Sequence, residues 1–207
     1  MHSTHPDNIE AQANGNYVHR NGALECDEEA LSWADTMLSA AHQINRISSF
    51  LDVGCRTGYV TRHIKKSLPN AHIVGLDLIE EFLHEASARN SPQTVCASAS
   101  SLPFTNNSFD WVFCAQTLEH VPELPEAISE LCRVAKYAQF ISVPLETKPD
   151  TIFCGHNHFY LNPLDWLSLW SPHPDWYLFW SEVLPLKGIL NFILIRSNLF
   201  PNLSYTR

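Results

Sequence analysis

The sequence has no Cys-x-x-Cys pair, no apolar run long enough to cross a bilayer and little charge of either sign, and each lack narrows what the protein can be. Cys26, Cys55, Cys96, Cys114, Cys132 and Cys154 are scattered, most of them in apolar strand-like or helical stretches where a thiol behaves as a small hydrophobe. A reduced, cytoplasmic protein is the simpler expectation. No stretch reaches the ~18 apolar residues of a membrane span. The run 188–195 comes closest, and because it ends in Arg196 it reads as a buried strand. The polar segment from His2 to Arg20 lacks the basic-then-apolar plan of a signal peptide. Lys and Arg number only 13 against 22 Asp and Glu, giving a net charge of -9 with no basic patch. Binding to nucleic-acid phosphate needs clustered bases that displace counterions, so no general nucleic-acid partner is expected. Internal repeats and low-complexity segments are also missing.

What is present is a 207-residue chain, 45% hydrophobic, which is enough to bury a core without disulfides or metals. Residues 1–22 carry little periodicity and read as a flexible N-terminal arm, leaving 23–207 as a single domain. Apolar residues then recur every three or four positions at Leu31, Ala34, Leu38, Ala41 and Ile44, which predicts an amphipathic helix over 27–47. Strands and helices alternate from there: strand 49–53, helix 58–67, strand 72–77, helix 80–88, strand 94–97, strand 109–114, helix 123–134 and strand 138–143. Such βαβ alternation requires right-handed crossovers and a largely parallel sheet. The last third differs. Asn162 before Pro163 marks the start of a helix over 162–169. The runs 176–184 and 190–197 are joined by a link too short for a crossover helix, so they are expected to pair antiparallel. The fold class is therefore α/β, doubly wound.

Two elements point to a nucleoside ligand. The first strand enters Asp52-Val53-Gly54-Cys55-Arg56-Thr57-Gly58, a turn in which glycines let backbone N–H groups approach a ligand at a helix N-terminus. The second strand ends at Asp77, a little over twenty residues past Gly54, where a carboxylate can accept hydrogen bonds from both hydroxyls of a ribose. A dinucleotide site wants G-x-G-x-x-G, and this loop has no glycine at the second and third of those places. An NAD-dependent reductase is disfavoured on that spacing.

The segment Leu51-Asp52-Val53-Gly54-Cys55-Arg56-Thr57-Gly58 resembles the first motif of class I S-adenosylmethionine-dependent methyltransferases of the methyltransferase type 11 kind. Leu102-Pro103-Phe104 through Ser108-Phe109-Asp110-Trp111-Val112 resembles their "LPF…SFD.V" signature, and Leu118-Glu119-His120-Val121 resembles the "LEHV" that follows. The resemblance covers roughly 48–145 and implies a Rossmann-like, seven-stranded sheet with an antiparallel last strand and S-adenosylmethionine across the carboxyl ends of the first, second and fourth strands. By motif position it places Asp52, Gly54, Arg56 and Gly58 on the methionine side, Asp77 on the ribose, Leu78, Ser98 and Ala99 around the adenine, and Gln116 and Leu118 opposite. Arg56 stands where the family has its middle glycine, and Ser98 where relatives often carry an acid.

Methyl transfer from a sulfonium needs alignment and exclusion of water, with a base only where the acceptor must lose a proton. Base candidates are His120, His156 and His158, with Glu119 and Glu146 beside them. His120 could instead orient its loop, and the segment from Gly155 to Tyr160 could simply dock the next helix. Metal coordination by Cys154, His156 and His158 lacks a fourth ligand at a recognised spacing, so no metal is expected. Trp166, Trp170, Trp176, Tyr177, Phe179 and Trp180 are candidates for core, acceptor-pocket wall or homodimer face. The expected function is methyl transfer to a small-molecule, sugar or lipid-linked acceptor. The alternative is a degenerate member of the fold that serves as a binding or regulatory subunit without turnover.

Overall fold

The computed structural model describes residues 28–44, 47–146 and 156–197. The expected N-terminal arm, Cys26 and Cys154 lie outside the described residues. In chain order the elements are α1 (Glu28–Ile44), β1 (Ser49–Val53), α2 (Tyr59–Ser67), β2 (His72–Asp77), α3 (Glu80–Ala88), β3 (Thr94–Cys96), β4 (Phe109–Ala115), a 3₁₀ turn (Leu118–His120), α4 (Leu124–Val134), β5 (Ala135–Pro144), α5 (Pro163–Ser168), β6 (Trp176–Leu184) and β7 (Ile189–Arg196).

The strands form one seven-stranded sheet in the order β3-β2-β1-β4-β5-β7-β6. β1 through β5 pair parallel, and β7 runs antiparallel to both β5 and β6. The α/β fold read from the sequence is therefore the fold observed. β5 starts at Ala135, three residues earlier than its apolar run suggested, because Ala135 pairs with Phe109 ahead of an irregularity between Phe109 and Trp111.

Side chains alternate across a strand, and the sheet uses both faces. Phe50, Ile73, Trp111, Phe113, Phe140 and Ile193 point to the layer of α1 and α2, where Trp33, Met37 and Ile64 meet them. Leu51, Val74, Val112, Ile141 and Phe192 point the other way, onto Ile128 and Leu131 of α4 and Trp166 and Trp170. Trp166, Trp170 and Trp176 are thus core, whereas Phe179 on the edge strand β6 stays exposed. Asn162 caps α5 by accepting from the Leu164 N–H at 3.0 Å. No helix among the described residues is long and apolar enough to cross a membrane.

Candidate active site

The sheet order reverses between β1 and β4, and the crevice beyond the carboxyl ends of strands at such a switch point is where open α/β sheets bind ligands. Three positive φ angles shape the loop leaving β1: 78° at Gly54, 47° at Arg56 and 72° at Gly58. Gly54 and Cys55 both donate to the Leu76 carbonyl, at 2.8 and 2.9 Å, and Gly58 donates back to Cys55 at 2.8 Å. A Cβ on Gly54 would overlap the Thr117 side chain, and one on Gly58 would overlap Ser91. Glycine at 54 is what lets the loop after β1 lie against the loop after β4.

Asp77 ties this loop to the end of β2. Its Oδ2 accepts from the Arg56 N–H at 2.8 Å and its Oδ1 from the Ile79 N–H at 3.0 Å. Each oxygen keeps a further lone pair for a ligand hydroxyl. Burial pushes the Asp77 carboxyl above its ordinary range, against the pull of those backbone bonds. Asp52 is also buried and takes a hydrogen bond from the Thr61 hydroxyl at 2.5 Å. Desolvation pushes Asp52 up to about 7, the nearby Asp77 charge adding to the effect and the Thr61 bond opposing it.

These groups line a cavity of ≈ 440 Å³, within the roughly 300–1,000 Å³ of small-molecule sites. Asp52, Gly54, Arg56, Asp77, Leu78, Ser98, Ala99 and Gln116 all face it. Arg56 does not crowd it: the guanidinium lies over the Phe82 ring, 5.7 Å from its centroid. Leu78 is 54% exposed there, as a platform for a flat apolar group would be. Two expected contacts are absent from the lining. Gly58 is spent on the close packing that starts α2, and Leu118 points into the core. Conversely, Trp33 and Ala30 of α1 wall the cavity, a placement that helix periodicity alone does not reveal.

At the far end stand Glu119, His120 and His156. Glu119 is 1% exposed, and neither of its carboxylate oxygens has a hydrogen-bond partner. Burial pushes it up to about 8, with the Glu146 charge adding. The His120 and His156 rings meet edge to face, centroids 4.6 Å apart. His156 Nδ1 is hydrogen-bonded to Glu146 Oε1. His158 is elsewhere: its Nε2 donates to the Val121 carbonyl at 2.8 Å, and the residue does not line the cavity, so it braces the loop and is not placed to take a proton there.

Residues 51–142 match the family model of a methyltransferase domain. This stretch of the chain resembles a class I methyltransferase domain. A demethylmenaquinone methyltransferase of Shouchella clausii is 35% identical over 129 residues, 58% of this chain and 54% of that protein. A malonyl-[acyl-carrier protein] O-methyltransferase of Halorhodospira halophila is 35% identical over 88 residues, 41% of this chain and 30% of that protein. The chain thus spans about half or less of these relatives' length. Among solved structures, an S-adenosylmethionine-dependent methyltransferase from Clostridium acetobutylicum superposes with a TM-score of 0.67 at 14% identity, covering 91% of this chain and 99% of that one. That likeness concerns the fold.

S-adenosylmethionine is the cofactor this family implies, and the cavity fits it. The Asp77 carboxylate keeps lone pairs for hydroxyl donors, the exposed Leu78 offers an apolar surface beside Ser98 and Ala99, and Asp52 lies beside the glycine loop. Among the described residues, Asp52, Asp77, Glu85, Glu119 and Glu123 line the cavity against one arginine, Arg56. An acidic lining of this kind favours a cationic ligand.

Proposed function

We propose that this methyltransferase moves the methyl group of S-adenosylmethionine to a small-molecule acceptor. The observation that carries the reading is one continuous cavity with the ribose-binding acid Asp77 at one end and the Glu119–His120–His156 group at the other. When bound, the cofactor supplies an electrophilic methyl whose C–S bond breaks with the electron pair left on sulfur as the acceptor's lone pair forms the new bond. The chain's own part is to orient and to dehydrate. The β1 loop and Asp77 hold the nucleoside and amino-acid ends, and Trp33 with Phe113 keeps water off the middle of the cavity. The Glu119–His120–His156 group lines the acceptor end, where it orients the acceptor's nucleophilic atom.

The names of the relatives support a small acceptor, since one acts on demethylmenaquinone and another on malonyl-[acyl-carrier protein]. The acidic net charge supports the same class over bulk nucleic acid. Methyl-labelled S-adenosylmethionine incubated with a panel of hydroxylated, quinol and carboxylated small molecules tests the reading. Label transfer to one chemical class is expected, and His156→Ala is expected to reduce kcat at least tenfold while the cofactor still binds. Labelled cofactor that binds without transfer to any acceptor, in a panel that includes sugar and lipid-linked compounds, would instead support a binding subunit.

A further inference from the structure

Resting on the methyl-transfer reading, the group at the acceptor end has a composition that a proton relay does not explain. Glu119 is buried to 1% exposure with both side-chain oxygens unpartnered, an arrangement that calls for a cation or a donor to meet it. The His120 ring lies beside it, Nε2 3.9 Å from Glu119 Oε1. One carboxylate oxygen of Glu119 and one ring nitrogen each of His120 and His156 lie within 4.8 Å of one another.

The surroundings hold this trio in place. Glu146 binds His156 Nδ1, which fixes that nitrogen as the N–H and leaves Nε2 as the lone-pair donor. The loop carrying His156 is clamped to the turn carrying Glu119 and His120. Asn157 N–H donates to the Glu119 carbonyl at 2.7 Å, the Asn157 side-chain amide to the His120 carbonyl at 2.7 Å, and His158 Nε2 to the Val121 carbonyl at 2.8 Å. Residues more than thirty positions apart in sequence are thereby held as one unit, and all three line the cavity.

We propose that Glu119, His120 and His156 bind one divalent first-row cation, of which zinc is the best match, with its open coordination position facing the acceptor. Two imidazoles and one carboxylate form a donor set for such ions, and a three-ligand site with a vacant position is the arrangement of a catalytic centre. Bond lengths of about 2.0–2.1 Å put tetrahedral ligand atoms roughly 3.4 Å apart, so closing on a cation asks for side-chain torsions and no backbone movement. Glu146 is the positioning carboxylate behind His156. The acceptor class follows: a hydroxyl or enol oxygen that would ligate the cation and lose its proton to solvent before it takes the methyl, or a carboxylate oxygen that ligates it already deprotonated.

The site proposed here uses neither Cys154 nor His158 and replaces the sequence expectation of no metal. The test is calorimetric titration of chelator-treated full-length protein with zinc chloride alone. One equivalent is expected to bind the wild type. Glu119→Gln and His156→Asn are expected to weaken binding 100-fold or more, Glu146→Gln 10- to 100-fold, and His84→Gln, exposed on α3 and away from the cavity, less than threefold. Thermal melts identify any variant that fails to fold, and each of these two ligand positions has a second substitution, Glu119→Ala or His156→Phe, to replace it. A wild type that binds no zinc, or one whose binding is unchanged in both ligand variants, overturns the proposal. Titration of the same preparation with S-adenosylmethionine separates the two readings: cofactor binding without zinc binding removes the cation and leaves methyl transfer standing.

Discussion

Asp52 and Asp77 are acids that folding removes from water, and the consequence is a stability that depends on pH in the opposite sense to most paired carboxylates. Below the unfolded value of 3.8 both folded and unfolded chains hold the Asp52 proton. Between 3.8 and about 7 the unfolded chain releases it while the folded chain keeps it, so the folded state binds more protons and stability falls as pH rises. Above about 7 both are ionised and the contribution is lost. Thermal melts across this window should therefore fall less steeply for Asp52→Asn than for wild type, since the amide keeps an oxygen for the Thr61 hydroxyl. Equal slopes would mean that Asp52 is ionised in the folded protein throughout. Arg56 sits with φ at 47°, a conformation that costs a non-glycine residue about 1–2 kcal/mol. Comparing Arg56→Gly with Arg56→Ala removes the Phe82 contact in both and isolates the backbone. The glycine variant is expected to be more stable by about 1 kcal/mol in urea unfolding.

At the level of elements, α5 is a short helix that relies on tertiary contacts. Six residues cannot sustain a helix alone, and what anchors this one is Trp166, fully buried, edge to face with Tyr160, its Nε1 donating to the Pro144 carbonyl at 2.9 Å. Trp166→Phe keeps most of the apolar surface but strands that carbonyl, and it should cost about 1–3 kcal/mol in chemical denaturation. The elements themselves were largely legible in the sequence because apolar period and turn chemistry agreed: β1, β2, α3 and β6 occupy the expected residues. β5 was read short because Lys136 and Tyr137 break its apolar run, although the pairing of Ala135 with Phe109 begins the strand earlier. Motif position likewise put Gly58 and Leu118 on the cofactor, although the first is used for helix packing and the second for the core. Glu119 and His156 could be named singly from sequence. Their convergence could not, since it depends on the Asn157 and His158 bonds that fold a distant loop onto the turn after β4.

For the molecule as a whole, the parallel strands β1, β2 and β4 end at one edge of the sheet, and α1 walls the cavity there with Ala30 and Trp33 beside the acidic lining. The account stands on that cavity being a cofactor site governed by Asp77. Its most direct test is calorimetric titration of the folded full-length chain with S-adenosylmethionine and with the demethylated product, for wild type and Asp77→Ala. Micromolar binding by the wild type, weakened roughly 30-fold or more in the variant through loss of about 2–3 kcal/mol of charge-assisted hydrogen bonding, is the predicted result. A folded wild type that binds neither compound, or a variant that binds both as well as the wild type does, would contradict it.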